Sequence, residues 1–305
     1  MAQVNEEVRE AVELGGAERV RAVVKMGVGR LRISGGAEAL MEGRFEYSVP
    51  EWRPKVTYEV TDGEGLLVVE QPITTGVFSP SPKYVWDLAF SNQVPLTLVL
   101  RLGSGDATLE MGGTRLAEVE AAVGSGSLYA DLSKASEVSA VSLNNGSGRL
   151  GLITSGEYEA LREITMRTAS GISEVALGGA HPVLERVAIN SASGKIDLGI
   201  TGSCPKLETL TVNTASGLID LSVGIELSDR LDVALHCVSG KATVTFPPEV
   251  GVALRFSSVT GRLDAADFHR ADGRYVNKAF DAAKPHLRLN VSTVSGALVV
   301  QPANA

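Results

Sequence analysis

Cysteine is nearly missing from this chain. Two in 305 residues exclude a disulfide scaffold and any metal site held by four thiolates. Basic residues are also in deficit. Lys and Arg total 28 against 36 Asp and Glu, a formal net charge of −8, whereas a phosphate-backbone binder needs a basic face. No nucleic-acid partner is expected. Long apolar runs are absent too. The most continuous one spans residues 95–100, far short of the ~20 residues of a membrane helix, so no membrane span is expected. The opening MAQVNEEVREAVELGG is acidic with no apolar run, and no signal peptide is expected there. The four histidines, at 181, 236, 269 and 286, lack the paired spacing of a metal site. No cofactor is expected.

What the chain does have is apolar residues, at 44%, and glycine, at 33 residues. The first is enough for a large core and excludes general disorder. The second is periodic. A Ser-Gly or Thr-Gly step recurs with Gly105, Gly126, Gly148, Gly171, Gly194, Gly217, Gly240, Gly261 and Gly296, at spacings of 21, 22, 23, 23, 23, 23, 21 and 35. Around each glycine the columns repeat. Seven before it stand Leu98, Val119, Val141, Ile164, Val187, Leu210, Val233, Leu254 and Leu289, and four after it stand mostly Leu and Val, such as Leu198, Leu221 and Val244. Between the apolar columns lie polar or small residues, the period-two alternation of half-buried strands and not the 3.6 period of a helix.

Each unit therefore reads as strand, Ser-Gly turn, strand and a looser return. One unit cannot bury its apolar face alone, so coils stack at ~4.8 Å and build ladders of like residues. The expectation is an all-β fold: a single elongated, β-helix-like β-solenoid of about nine to ten coils with a 21–23-residue repeat and a β-rich N-terminal cap. The glycines are expected at backbone reversals with positive φ, supported by the adjacent Ser or Thr. Leu116, Leu161, Leu184 and Leu207 recur ten before the glycine, so the return segment tucks one residue inward. Two or three faces per coil both fit this pattern.

The ends differ. Residues 23–36 form a weaker unit around Gly29, and the 76 residues from Gly29 to Gly105 break the period with FEYSV, KVTYEV, LLVVEQ and KYVWDLAF. These are strand signals, and both Trp52 and Trp86 lie among them. The expected division is 1–97 for the cap with its first coil and 98–305 for the repeats. A polar, loop-like insertion at 265–288 stretches the last spacing. The final unit, LNVSTVSGALVV, ends close to the last residue, which suggests an uncovered C-terminal coil and possible self-association through it.

The run VKMGVGRLRISGGAEALMEGRFEYSV, with PKVTYEV, LLVVEQ and VWDLAFSNQVPLTLVLRLGSGDATLEM, resembles the N-terminal toast-rack domain of bacterial envelope proteins of the LiaF type. The TASGxIxL units and LNVSTVSGALVV resemble the putative-adhesin repeat domain often found beside it. Together these resemblances cover roughly residues 16–302. They imply a β-solenoid rack in an extracytoplasmic, cell-envelope setting, with relatives that modulate envelope-stress signalling. They supply no catalytic motif.

Chemistry-bearing clusters are few. Glu174, Asp197 and Asp220 share one outward column. Such a carboxylate ladder could hold Ca²⁺, or form a salt-bridged solvated face with Lys195, Lys241 and Arg262; no further clustered oxygen ligands accompany it. Asn190 and Asn213 share another column and could form an amide ladder. Cys237 is expected to be buried, and Cys204, in a return segment, exposed. The Gly-rich turns precede strands and not helices, so they are not phosphate cradles. The function class this favours is a non-enzymatic binding or scaffold domain with an unidentified protein or glycan partner. The competing classes are a carbohydrate-active β-helix enzyme, which needs acids converging on a cleft, and a cytosolic regulatory module of the same fold.

Overall fold

The structure, a computed structural model, describes residues 6–72, 83–225, 227, 230–282 and 284–303. It is built of strands, and among the described residues no helix is long and apolar enough to cross a membrane. The chain forms two compact units, Met1–Ser147 and Gly148–Ala305.

The first unit holds β1 (Glu6–Val12), β2 (Arg19–Gly35), β3 (Met41–Tyr47), β4 (Lys55–Thr61), β5 (Glu64–Glu70), β6 (Tyr84–Phe90), β7 (Leu96–Glu110), β8 (Leu116–Ser125), β9 (Leu128–Asp131) and the first half of β10 (Ala140–Thr154). Its core is a stack of parallel strands. β2 lies along β7, pairing Val24 with Leu100 and Gly29 with Gly105. β7 pairs in turn with β8 and β9, and β8 with β10. On its other side β2 pairs with β5 along its first half and β6 along its second. Beyond these the pairing turns antiparallel, β4 on β5 and β3 on β6, with β1 on β3. The expected β-rich cap is thus present, and its four strand segments are β3 to β6. Its core is aromatic. Phe45 and Tyr84 each meet Trp86 edge-on at 5.4 Å between ring centres, and the Tyr84 hydroxyl donates to the Trp52 carbonyl at 2.7 Å. Bulky rings suit this place because the end of a solenoid has no further coil to cover its ladders.

The second unit holds β11 (Glu163–Leu177), β12 (Arg186–Ile200), β13 (Thr209–Val223), β14 (Leu231–Phe246), β15 (Gly251–Ser258), β16 (Arg262–Asp264), β17 (Phe268–Ala271), β18 (Arg274–Asn277) and β19 (His286–Pro302). β11 to β14 are parallel and in register: Ile164, Val187, Leu210 and Val233 stack as one buried ladder. The return segments add a third side. Single parallel bridges join Glu157 to Ala180 and Ala180 to Ser203, and Leu161, Leu184 and Leu207 are buried beneath them.

Three sequence expectations need correction. The Ser-Gly step is not a reversal. Each long strand runs through it, and Ser170 to Leu177 stay paired in parallel with Ser193 to Ile200 just as the residues before them do. The inward positions are odd-numbered steps before the glycine and even-numbered steps after it, as Val187, Ile189 and Ser191 then Ile196, Leu198 and Ile200 show. The glycine supplies a one-residue phase slip that bends the strand around the same core. Second, β19 is not an exposed terminal coil. It is sandwiched between β14, where Gly240 meets Gly296, and β15 with β16, where Leu254 meets Leu289. The premise for self-association through the C-terminal coil therefore fails. Third, the 265–288 insertion is not all loop. β17 and β18 form a hairpin whose Val276 and Tyr275 pair with Ala253 and Leu254 of β15. Asn277 fixes it, accepting from the Val252 amide at 2.8 Å and donating to the Val250 carbonyl at 2.8 Å.

Candidate functional site

The corners come first, because every repeat has one. Gly105, Gly126, Gly148, Gly171, Gly194, Gly217 and Gly240 have φ between 111° and 143°. At Gly194 a Cβ would lie 1.9 Å from the Gly171 carbonyl oxygen, and at Gly217 it would lie 1.9 Å from that of Gly194. Both the backbone conformation and the close approach of successive coils therefore require glycine. Gly261 and Gly296 differ, with φ outside the left-handed range. At Gly261 the strand is broken, and the Ser258 hydroxyl accepts from its amide; at Gly296 a Cβ would meet Thr293 Oγ1 at 2.7 Å. The corner bond expected from the Ser beside the glycine is made two residues earlier. Ser191 Oγ donates to the Ser193 carbonyl at 3.0 Å, Thr214 Oγ1 to that of Ser216 at 3.1 Å, and Cys237 Sγ to that of Ser239 at 3.3 Å. The signal was there: an inward column of small donors, Thr168, Ser191, Thr214 and Cys237.

The carboxylate column is brought together as the repeat requires, with Glu174 beside Asp197 and Asp197 beside Asp220. The Lys195 ammonium lies 3.0 Å from Asp197 and 3.3 Å from Asp220, and Arg149 lies 4.0 Å from Glu174. The hydrogen bond that Lys195 donates to Asp197 raises the Lys195 pKa, with Asp220 adding to it. Among the described residues no three acidic, His or Cys side chains gather as metal ligands. The amide ladder forms as expected, Asn213 Nδ2 donating to Asn190 Oδ1 at 2.8 Å. One coil on, His236 continues the column and its Nδ1 meets Ser292 Oγ at 2.6 Å.

A buried polar cluster escaped sequence reading. Tyr158, His181 and Cys204 are spaced by 23 and stack in successive return segments. The Tyr158 and His181 rings lie parallel, centres 4.9 Å apart. His181 Nε2 meets Thr154 Oγ1 at 3.1 Å, and its Nδ1 meets Cys204 Sγ at 3.9 Å. Cys204 is thus buried and not exposed, a correction to the loop reading; its 5% exposure reflects a return segment that is a packed third side. Burial pushes the Cys204 thiol up to about 11 and the His181 imidazole down to about 4. A thiol held protonated is a poor nucleophile, and the Cys204–His181 contact lies in the packed interior.

One concavity in the first unit is an open groove of about 1010 Å³. Its floor is backbone: a Cβ on Gly103 would lie 2.4 Å from the Gly27 carbonyl oxygen, and one on Gly124 2.4 Å from that of Gly103. Trp52, Lys25, Arg101 and Glu70 line it. Gln71 closes one end, its Oε1 accepting from the Gly27 and Val28 amides at 2.7 and 3.2 Å. Such a furrow can hold an extended ligand, and Lys25 and Glu70, partners across β2 and β5, stand on its wall.

The model of one known family, the "N-terminal domain of toast_rack, DUF2154", matches residues 1–153. The chain belongs to the toast-rack family. Solved structures similar to this toast-rack chain span nearly all of it. A "putative cell adhesion protein" from Clostridium sporogenes is 21% identical, with 98% of this chain and 100% of that one covered and a TM-score of 0.35. A "putative adhesin" from Parabacteroides merdae is 10% identical, with 97% and 96% covered and a TM-score of 0.47. Another "putative adhesin", from Bacteroides fragilis, is 10% identical, with 98% of each chain covered and a TM-score of 0.40. No curated protein matches the toast-rack chain in sequence.

Proposed function

We propose that the chain is a non-enzymatic binding scaffold that works at the bacterial cell envelope. The observation that carries this reading is the chemistry of its outward columns. Charges there neutralise one another along the ladder, as Lys195 does between Asp197 and Asp220, and the open groove of the first unit is floored by glycine backbone. A flat, rigid lattice of this kind presents area and spacing, which suits recognition. A glycan-cleaving enzyme would need a carboxylic acid and a carboxylate across a cleft about 5–9.5 Å apart, and the paired ladder acids stand on one flat face. The toast-rack family membership supports the envelope setting.

The test is sedimentation of the purified chain with envelopes isolated from its own host, with released reducing sugar followed in the same tubes. Saturable co-sedimentation without sugar release is expected. Time-dependent release that a heat-denatured control lacks would make the protein an enzyme, and a lack of saturable co-sedimentation would remove the envelope-binding reading.

A further inference from the structure

We propose that the corner of the last coil in the second unit, around Val259, receives an extended acidic segment of a protein partner as an added strand. The inference rests on the binding-scaffold reading and names the partner's chemistry. It starts from one outward column, two residues before the corner glycine. In β11 to β13 this column is Ala169, Ala192 and Ala215; in β14, β19 and the β15–β16 corner it is Val238, Val294 and Val259. The three valines are 53%, 49% and 77% exposed. A lone exposed valine needs no explanation, but three on consecutive coils form a contiguous apolar ridge. A hollow of about 240 Å³ lies along it, lined also by His236, Ser258 and Thr293.

The second observation is an open strand edge. β15 and β16 pair with β19 on one side. On the other side, among the described residues, the hairpin reaches only Ala253 and Leu254. Among the described residues no strand pairs with the outer side of 255–258 and 262–264, a template that proteins otherwise cover or blunt.

The third observation is charge. Residues 251–278 carry five basic and three acidic side chains in a chain of net charge −8. Arg255 and Arg262 stand on the open strands, and Lys241 stands across the corner from Val238 on β14. None of these three has an ion pair among the described residues. Together the observations choose the occupant. A second copy would bring Arg255 and Arg262 against their own kind. An anionic glycan would match the cations but leave the valine ridge and the main-chain edge unused. An extended acidic peptide uses all three, with main-chain hydrogen bonds for affinity and alternate side chains for specificity.

The experiment is fluorescence anisotropy of the whole chain with a labelled, end-blocked octapeptide of alternating Val and Glu, and with its Val/Lys counterpart. Saturable binding of the acidic peptide is expected, weakened at least tenfold by Val259→Asp and by Arg262→Glu. Leu66→Asp, at an exposed apolar site in β5 of the first unit, should leave it unchanged. Val259 and Arg262 are exposed, and thermal melting checks that each variant is folded. The proposal is overturned by no saturable binding at about 1 mM peptide, a range where even weak complexes form; by equal binding of the Lys peptide; by variants that keep full binding; or by a dimer in sedimentation equilibrium that Val259→Asp dissolves. A chain that co-sediments with envelopes but ignores the acidic peptide loses this inference alone.

Discussion

Replacing Gly194 by Ala separates two requirements that the corner imposes at once. The φ of 120° at Gly194 is a region where side chains cost about 1–3 kcal/mol. The methyl group would also lie 1.9 Å from the Gly171 carbonyl oxygen and 2.9 Å from its amide nitrogen. Relief requires the two coils to part locally, against hydrogen bonds on both flanks of the corner. Overpacking of that kind adds about 1–3 kcal/mol, for a total of about 2–6 kcal/mol. Gly273 is the control within the same unit. Its φ is also positive, at 73°, but nothing lies within 4 Å of where a Cβ would stand. Gly273→Ala should therefore cost only the backbone part, about 1–3 kcal/mol. Urea unfolding of the two variants and the wild type gives both values, provided the slope of the transition is unchanged. Gly194→Ala should be less stable than Gly273→Ala by at least about 1 kcal/mol. Equal losses would refute the close-packed glycine ladder and leave φ alone as the reason for glycine.

Other outcomes follow from the same structure. His181 stays neutral in the folded chain until about pH 4, whereas an unfolded histidine takes up its proton near the ordinary value of 6.5. Between these values the unfolded state binds more protons, so stability should fall by about 3 kcal/mol as pH drops from 6.5 to 4; His181→Phe should remove that part of the acid sensitivity in pH-dependent urea titrations. Thr214→Val, which deletes the bond to the Ser216 carbonyl, should cost about 1 kcal/mol in the same assay. Trp86→Ala should cost about 3–5 kcal/mol, since this fully buried ring meets both Phe45 and Tyr84 and leaves a large cavity. Neither thiol should react quickly with a thiol reagent at pH 8 in the folded protein, because Cys204 and Cys237 are buried with raised pKa values; prompt labelling of either would refute the packed third side and corner.

The period of 23 made the ladders legible, because a solenoid repeats the same local choice in every coil and like residues line up in space. Val187, Leu210 and Val233 could be placed inward from sequence for that reason. The change of parity across the glycine was also written in the columns, yet a Ser-Gly step reads by habit as a reversal; only the parallel pairing on both flanks identifies a bend. Cys204 was misplaced because a return segment looks like a loop when read alone. Read at the same period, it falls in line with His181 and Tyr158. The position of β19 was not legible. A stretched spacing looks like a loop added between successive coils, and nothing in the strand's composition says that it enters between β14 and β15. That order comes from tertiary pairing, in which β19 pairs along its length with β14 and in two stretches with β15 and β16. The valine ridge was visible as residues but not as a surface, since its continuity depends on the same unexpected order.

A binding scaffold of the cell envelope has to lie where envelope partners can reach it, so the compartment of this ladder protein decides the proposal. The buried native thiols make a poor reporter, so a single cysteine belongs at Leu218, which is 48% exposed on β13. The Leu218→Cys chain, expressed from its own gene in its host, is treated with a membrane-impermeant maleimide before and after lysis. Labelling in intact cells is the expected result, with no further gain on lysis. Labelling that appears only after lysis would contradict the envelope assignment and turn the search toward partners inside the cell.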